Sequence, residues 1–285
     1  MPHTPARDGV RLYYEETGHG TAVVFVHEYA GDWRSWEAQM RYFSRAHRCV
    51  SYSQRGYPPS DVPEEAARYG QTIARDDVLA LMDALKIDKA HVVGHSMGAY
   101  TALHVGLQAP ARCISVVAAG CGWGSTPDPK QREVMKALAA ETGKMFAEEG
   151  IKAAAVKYAD APMRQAQKHK DPRGYAEFAR MLAEHSALGH AQTMFNLQLK
   201  RPTLWEMADA LKRFSVPLLV VVGDEDEPCI DGSVFLKRTV PTAGLMVIPR
   251  SGHNSPSEEP AAFNAALADL FAAAEAGRWL AHKPK

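Results

Sequence analysis

The feature that most constrains the fold of this chain is a Gly-x-Ser-x-Gly pattern at residues 94–98, whose serine is Ser96. Residues 90–93 before it form a short apolar run that predicts a buried strand, and apolar residues after it recur at helical spacing. A serine on such a sharp strand-to-helix turn is held in a strained conformation with its Oγ exposed, and side chains at either glycine would strike neighbouring elements. Such a serine can act as a nucleophile, but the same pattern also occurs where it serves only close packing. The nucleophile interpretation requires the rest of the chain to supply an acid, a histidine and an oxyanion donor.

Two later loops carry candidate acid and base residues at the ends of predicted strands. Residues 216–222 are an apolar run that predicts a buried strand, and Asp224 and Asp226 follow it. Residues 245–248 predict the last strand, and His253 follows it on a loop that contains a glycine. Strands that alternate with helical patterns imply a mostly parallel sheet, which places ligands at the carboxyl ends of its strands. The serine, one of the two aspartates and the histidine are therefore candidates for one site.

The order serine, aspartate, histidine along the chain resembles that of the α/β-hydrolase family. The resemblance implies an α/β fold: a mostly parallel sheet flanked by helices, with an inserted helical cap. It also implies Ser96 as nucleophile, His253 as base and Asp226 as acid, because the family's loop reads Gly-x-x-Asp; Asp224 is the rival. A serine at the turn argues against haloalkane dehalogenases and epoxide hydrolases, whose nucleophile there is aspartate.

Residues 21–27 form another apolar run, and the loop at its end, which begins His27-Glu28-Tyr29, resembles the family's His-Gly-x loop. In that loop the residue after the dipeptide donates its backbone amide to the oxyanion. Carried over to this chain, the first donor is Tyr29, and the second is Met97, the residue after the nucleophile. The resemblance departs at Glu28, which stands where the family has glycine.

Glu28 brings a carboxylate close to the point where negative charge develops, and an unpaired anion there would oppose the reaction. We expect this carboxylate to pair with a cation, with Arg55 on the neighbouring strand's loop the favoured partner and Arg34 the second. The residues expected to contact substrate are His27, Glu28, His95 and Trp123.

The 285 residues can form one large domain or one domain with an insertion. After a glycine-rich stretch near residue 120, the chain is dominated by Ala, Lys, Glu, Met and Arg with helical periodicity and no convincing strand. We therefore predict a hydrolase core at residues 1–120 and 214–285 and a helical cap at residues 121–213.

The predicted cap is rich in methionine and aromatic residues, and some of them must face the cleft. Trp123 and Trp205 are the large side chains whose truncation is expected to change substrate preference. Two of its histidines, His185 and His190, are expected on the surface or between helices rather than in catalysis.

Composition narrows the class of partner. Lys and Arg balance Asp and Glu to a formal net charge of zero, so neither nucleic acid nor a membrane surface is an expected partner. The four cysteines show no CxxC or metal-ligand spacing and are expected to be reduced thiols, either in the core or on the surface. No secretory pattern or membrane-spanning run is present, which favours the cytoplasm. We expect a small-molecule substrate and no metal or organic cofactor, and the oligomeric state stays undetermined.

Three functions remain open. The resemblance is closest to small, cap-bearing, cofactor-free hydrolases: esterases, lactonases, haloperoxidase-like enzymes and carbon–carbon bond hydrolases. The leading hypothesis is a serine hydrolase of a small, largely apolar carboxylic ester or lactone. A carbon–carbon hydrolase of a diketone or ring-fission product is the first alternative. A ligand receptor on a hydrolase scaffold, favoured only by Glu28, is the second.

Overall fold

The protein, described by a computed structural model over residues 2–282, is built on one sheet of eight strands. The strands are β1 (His3–Pro5), β2 (Arg11–Thr17), β3 (Ala22–Val26), β4 (Arg48–Tyr52), β5 (Ala90–His95), β6 (Cys113–Ala119), β7 (Leu218–Gly223) and β8 (Ala243–Ile248). Their order across the sheet is β1-β2-β4-β3-β5-β6-β7-β8. Strand β2 is antiparallel to both of its neighbours, and the other pairings are parallel. The predicted mostly parallel sheet is confirmed.

Helices cover both faces of the sheet. Those that follow the core strands are α1 (Glu37–Phe43), α2 (Gln71–Ala84), α3 (Met97–Gln108), α9 (Glu227–Thr239), α10 (Ser255–Glu258) and α11 (Pro260–Glu275). Those between β6 and β7 are α4 (Pro129–Ala159), α5 (Gln165–Lys170), α6 (Pro172–Leu182), α7 (Ala187–Thr193) and α8 (Ala208–Leu211). A 3-10 turn at Pro162–Arg164 and a π-helical turn at Met194–Gln198 belong to the same insertion.

The β-branched run in β3 is buried on both sides because successive side chains point to opposite faces of the sheet. Val24 joins the apolar cluster that contains Leu103 of α3, whereas Phe25 joins the cluster that contains Leu267 of α11. The two layers of helix therefore hold the central strands in place, and the carboxyl ends of these strands are left to carry the functional loops.

The segment between β6 and β7 is a helical insertion, as the change in sequence pattern predicts. The described chain from Gly120 to Pro217 contains helices and turns but no strand. Its longest helix, α4, is interrupted at Gly150, whose φ of 77° is not helical. The division into a core and a cap at residues 121–213 stays a prediction of domain boundaries.

Two expectations from composition concern the described chain as a whole. All four cysteines are buried and unpaired, so the core alternative holds rather than the surface one. Across residues 2–282 no helix combines the length and the apolar character that crossing a membrane would need.

Candidate active site

The turn between β5 and α3 has the close packing that the glycine pattern predicts. A Cβ atom on Gly98 would lie 2.1 Å from the backbone oxygen of Val26, and one on Gly94 would lie 2.1 Å from the backbone oxygen of Gly98. Ser96 itself has a φ of 52° and a ψ of −109°, a conformation that L-residues rarely adopt. Such strain is kept where the surrounding structure enforces it, which is common at reactive residues.

His253 and Asp226 lie side by side at the ends of β8 and β7. Nδ1 of His253 is 2.9 Å from Oδ2 of Asp226, and the two residues are 2% and 1% exposed. The rival carboxylate, Asp224, is exposed and accepts a hydrogen bond from the backbone N–H of Ser251 at 3.3 Å. The structure therefore brings Asp226, and not Asp224, to the histidine.

The two groups shift each other's protonation. Burial opposes a positive charge on His253, but the Asp226 carboxylate outweighs burial and raises the pKa of the histidine. Burial also opposes the charge of Asp226, and the neighbouring His253 outweighs it, so the pKa of that carboxyl is lowered. With Nδ1 donating to Asp226, Nε2 of His253 is the atom left to accept a proton.

A cavity of about 260 Å³ joins the serine and the histidine to the helical insertion. Its residues from the core are Tyr29, Ser96 and His253, and those from the insertion are Trp123, Thr142, Met145, Lys157, Tyr158, Ala161, Met163, Met194 and Gln198. Most of these side chains are apolar or aromatic, and three are methionines, which adapt to ligands of different shape. The cavity can therefore hold a largely apolar group next to Ser96.

The two expected oxyanion donors flank this site. In the part of the chain that the structure describes, neither the Tyr29 nor the Met97 backbone N–H donates a hydrogen bond to another protein group. Met97 is the first residue of α3, so its N–H belongs to the free positive end of that helix. The Tyr29 side chain reaches into the insertion, where its hydroxyl donates to the backbone oxygen of His190 at 3.0 Å.

The prediction that Glu28 pairs with Arg55 is wrong. Its carboxylate is bound by both terminal nitrogens of Arg164, with Nη1 2.7 Å from Oε1 and a second short contact from Nη2 to Oε2. Arg55 instead binds Asp77 and Asp8, so it is not free to reach Glu28.

Arg34, the second choice, is also engaged elsewhere, with Asp32 and Glu184. Pairing with a cation does occur, as expected, but the cation comes from the insertion. Burial would raise the pKa of Glu28, but the charge and hydrogen bonds of Arg164, together with the nearby His95 and His253, lower this pKa to about 2. Glu28 is therefore an ionised, paired carboxylate.

Three of the four residues expected to contact substrate lie behind the cavity rather than in its wall. His27 donates from Nδ1 to the backbone oxygen of Glu28 at 2.6 Å and accepts at Nε2 from the N–H of Gln54 at 3.0 Å. His95 donates from Nε2 to the backbone oxygen of His253 at 2.7 Å. Burial lowers the pKa of both rings to about 4, so they are neutral near pH 7 and hold the loops through these hydrogen bonds.

Glu28, the third of these residues, is also absent from the cavity wall. Of the four residues expected to contact substrate, only Trp123 lines the cavity. Trp205 is also placed differently from the expectation, because its ring stacks on Phe235 of α9 with ring centres 4.4 Å apart. It packs the insertion against the core instead of facing the site.

His185 and His190 are both buried, so the surface alternative is wrong for these two residues and the packing alternative holds. His185 Nε2 lies 3.1 Å from Asp32 Oδ2, and His185 Nδ1 lies 3.0 Å from His190 Nε2. This chain of contacts joins α7 to the loop after Tyr29.

Glu258 is a site residue that sequence reasoning missed. Its carboxylate accepts from the backbone N–H groups of Gly252 at 2.6 Å and Asn254 at 3.1 Å, on both sides of His253. The Ser-Pro-Ser-Glu pattern at residues 255–258 indicates a helix start, and a carboxylate at such a start is placed to accept backbone N–H groups from the preceding loop. Arg164 was missed as well, and no local pattern marks it.

One group of side chains in the site has donor types that metals prefer. Ligand atoms of Asp226, Cys229 and His253 lie within 4.8 Å of one another. The thiol of Cys229 donates to the backbone oxygen of Gly120 at 3.3 Å, and burial raises its pKa well above the usual value. With the histidine and the carboxylate bonded directly to each other, the arrangement is suited to proton transfer at Nε2.

Comparison with known proteins assigns this chain to a family. A family model described as alpha/beta hydrolase fold matches residues 21–260. A 2-hydroxy-6-oxo-6-phenylhexa-2,4-dienoate hydrolase of Burkholderia cepacia is 29% identical over 271 residues, 92% of this chain and 91% of that enzyme. The 3-oxoadipate enol-lactonase 1 of Acinetobacter baylyi is 26% identical over 268 residues, 90% of this chain and 91% of that enzyme.

Other similarities are structural or partial. The solved structure of a thermophilic esterase from Thermogutta terrifontis superposes with a TM-score of 0.84 at 23% identity, over 96% of this chain and 99% of that one. An epoxide hydrolase of Caballeronia sordidicola is 36% identical over 112 residues, but these are 39% of this chain and 34% of that enzyme's length. The matched sequence, the eight-stranded sheet and the helical insertion show that this chain is a hydrolase and belongs to the α/β hydrolase fold family.

Proposed function

We propose that the protein is a serine hydrolase that cleaves a small, largely apolar carboxylic ester or lactone. The observation that carries the proposal is one cavity whose wall contains both Ser96 and His253, with Asp226 bound to the histidine from behind. Serine is a weak nucleophile near neutral pH and needs such a base. The buried carboxylate keeps the histidine in the tautomer that can accept the serine proton.

In the proposed reaction, Ser96 Oγ attacks the carbonyl carbon while Nε2 of His253 takes its proton. The carbonyl oxygen becomes an oxyanion, and the N–H groups of Tyr29 and Met97 donate to it. The tetrahedral intermediate then expels the alcohol, which receives the proton from His253, and leaves an acyl group on Ser96. Water attacks this acyl-enzyme with His253 again as base; the bond from the acyl carbon to Oγ then breaks, His253 returns its proton to Ser96 Oγ, and the carboxylic acid departs.

The preference for an apolar acyl group follows from the cavity wall, in which Met145, Met163, Met194 and Trp123 surround the space beside the serine. Similarity to the enol-lactonase of Acinetobacter baylyi over 90% of the chain supports a lactone as readily as an open ester. In a lactone the leaving alcohol stays attached to the acyl group, so a single product leaves: a hydroxy acid, or, from an enol lactone, an enol acid that becomes a keto acid.

Cleavage of a carbon–carbon bond is the second candidate, favoured by the 29% identity to the Burkholderia cepacia dienoate hydrolase. Attack by Ser96 on a ketone carbonyl would break the bond to the adjacent carbon, and that carbon would leave as an enolate and be protonated. The receptor alternative has lost its support, because Arg164 neutralises the Glu28 charge that favoured it.

A labelling and turnover experiment tests the proposal. The purified protein is treated with a fluorophosphonate probe and assayed on p-nitrophenyl acetate, p-nitrophenyl butyrate, a γ-lactone and a vinylogous β-diketone. We expect labelling on Ser96, none in Ser96→Ala, and highest kcat/KM on the butyrate ester or the lactone. Turnover of the diketone alone would favour carbon–carbon cleavage, and labelling at another residue with no ester turnover would contradict a serine hydrolase.

A further inference from the structure

One peptide group of the core is flanked by two side chains that both contact the helical insertion. The peptide joins Glu28 to Tyr29, and its N–H is one of the two proposed oxyanion donors. The Glu28 carboxylate is bound by Arg164, and the Tyr29 hydroxyl donates to the backbone oxygen of His190. The core holds the same peptide at its carbonyl oxygen, which accepts from Gly31 N–H at 3.2 Å and from His27 Nδ1 at 2.6 Å.

Arg164 is held as firmly as the carboxylate that it binds. It is 0% exposed, Glu28 is 3% exposed, and the guanidinium carbon lies 4.7 Å from the ring centre of Phe178 on α6. Two parallel N–H bonds from a planar guanidinium set both the distance and the plane of a carboxylate. A single-point contact from an ammonium group would leave the carboxylate free to rotate.

The charge of the pair also matters for the site. An unpaired Glu28 carboxylate would repel the oxyanion that Tyr29 N–H binds, and Arg164 cancels that charge. Met163, the residue before Arg164, lines the cavity. The same short turn of the insertion therefore touches the substrate space on one side and the loop that carries the oxyanion donor on the other.

We propose that Arg164 is a positioning residue for the hydrolytic step: by clamping Glu28 it aims the Tyr29 N–H at the oxyanion. The insertion thus helps to set the rate of bond cleavage in addition to shaping the substrate space. This rests on the proposed function, since an oxyanion forms only if Ser96 attacks a carbonyl.

The test uses two variants of the full chain. Arg164→Lys keeps the positive charge but loses the planar fork, and Glu28→Gln/Arg164→Met removes both charges, so no unpaired buried charge is left to unfold the protein. In both we expect kcat on p-nitrophenyl butyrate to fall about 10- to 100-fold, because losing an oxyanion donor outright costs roughly 10²–10³-fold and displacing one costs less. KM should stay within about threefold, because ground-state binding is not what the pair controls.

Lys170→Met is the matched control. Lys170 also joins the insertion to the core, through an ion pair of 2.5 Å with Glu259, but it does not touch the loop of Tyr29. We expect its kcat and KM to equal those of the unaltered protein. Melting temperatures of all variants establish that the folded protein is being measured.

The outcomes separate this inference from the proposed function. A kcat within threefold of the unaltered value in both Arg164 variants would overturn the positioning role while ester hydrolysis by Ser96 stands. An equal loss in Lys170→Met would also overturn it, because any loosening of the insertion would then suffice. No ester turnover by the unaltered protein would contradict the proposed function itself.

Discussion

Oδ2 of Asp226 lies 2.9 Å from Nδ1 of His253, whereas Asp224, two residues earlier on the same loop, is exposed and turned toward the backbone of Ser251. The two carboxylates therefore have different environments, although the sequence places both at the end of one strand. Only the buried one is able to hold the histidine in a fixed tautomer.

We predict that Asp226→Asn lowers kcat on p-nitrophenyl butyrate by roughly 10²–10⁴-fold, because an amide at this position favours the wrong histidine tautomer. Asp224→Asn should keep activity within about threefold, as expected for an exposed substitution away from the reacting atoms. The measurement is kcat for both variants beside the unaltered protein. A larger loss in Asp224→Asn would mean that the acid has been assigned to the wrong residue.

The pH dependence of kcat/KM follows from the raised pKa of His253. The histidine must be neutral to accept the serine proton, so activity is low below its folded pKa and rises as pH increases through it. Because Asp226 raises that pKa, the midpoint should lie above the ordinary histidine value of about 6.5. A midpoint at or below this value, or a flat profile, would contradict the assignment of His253 as base.

Trp123 and Trp205 should respond differently to truncation. Trp123→Ala enlarges the cavity, so the ratio of kcat/KM for a hexanoate ester over an acetate ester should rise about tenfold, the scale on which apolar pockets discriminate. Trp205→Ala removes the stack on Phe235 and should lower the free energy of unfolding by about 1–3 kcal/mol, less than a fully buried aromatic costs, with the ester ratio unchanged. Denaturant unfolding and the two esters test both variants. A changed ratio in Trp205→Ala alone would reverse these roles.

Glu258→Gln should weaken the loop that carries His253. The amide leaves one oxygen for the N–H groups of Gly252 and Asn254 and turns an NH₂ group toward one of them. We expect a loss of about 1–3 kcal/mol in unfolding free energy, the usual result of an unsatisfied buried donor, and a lower kcat. Glu259→Gln is the control, since Glu259 binds the partly exposed Lys170 instead. Equal effects in the two variants would exclude a specific role for Glu258.

Much of the fold and the candidate site could be predicted because the signals are local. Ser96 follows β5 directly, and Asp226 and His253 lie on the loops after β7 and β8, so the parallel sheet brings all three to the carboxyl ends of its strands. The glycines around Ser96 are required by contacts under 3 Å that any Cβ would make.

What the sequence could not provide depends on packing between distant segments. Arg164 lies 136 positions after Glu28, and only the docking of the insertion brings them together. Nearness of neighbouring strands favoured Arg55, but the carboxylates of Asp77 and Asp8 already bind it. Helical periodicity also does not indicate which side of the insertion faces the cavity. It therefore could not predict that Trp123 and Trp205 have different positions.

The central claim, that Ser96 is the nucleophile, is tested most directly by the kinetics of Ser96→Ala on p-nitrophenyl butyrate. We predict that kcat falls by roughly 10⁴–10⁶-fold, the loss seen when a triad member is removed from a serine hydrolase. The melting temperature should stay close to that of the unaltered protein, because Oγ is used in chemistry and contributes little to packing. A folded variant that retains a tenth or more of the activity would contradict the account.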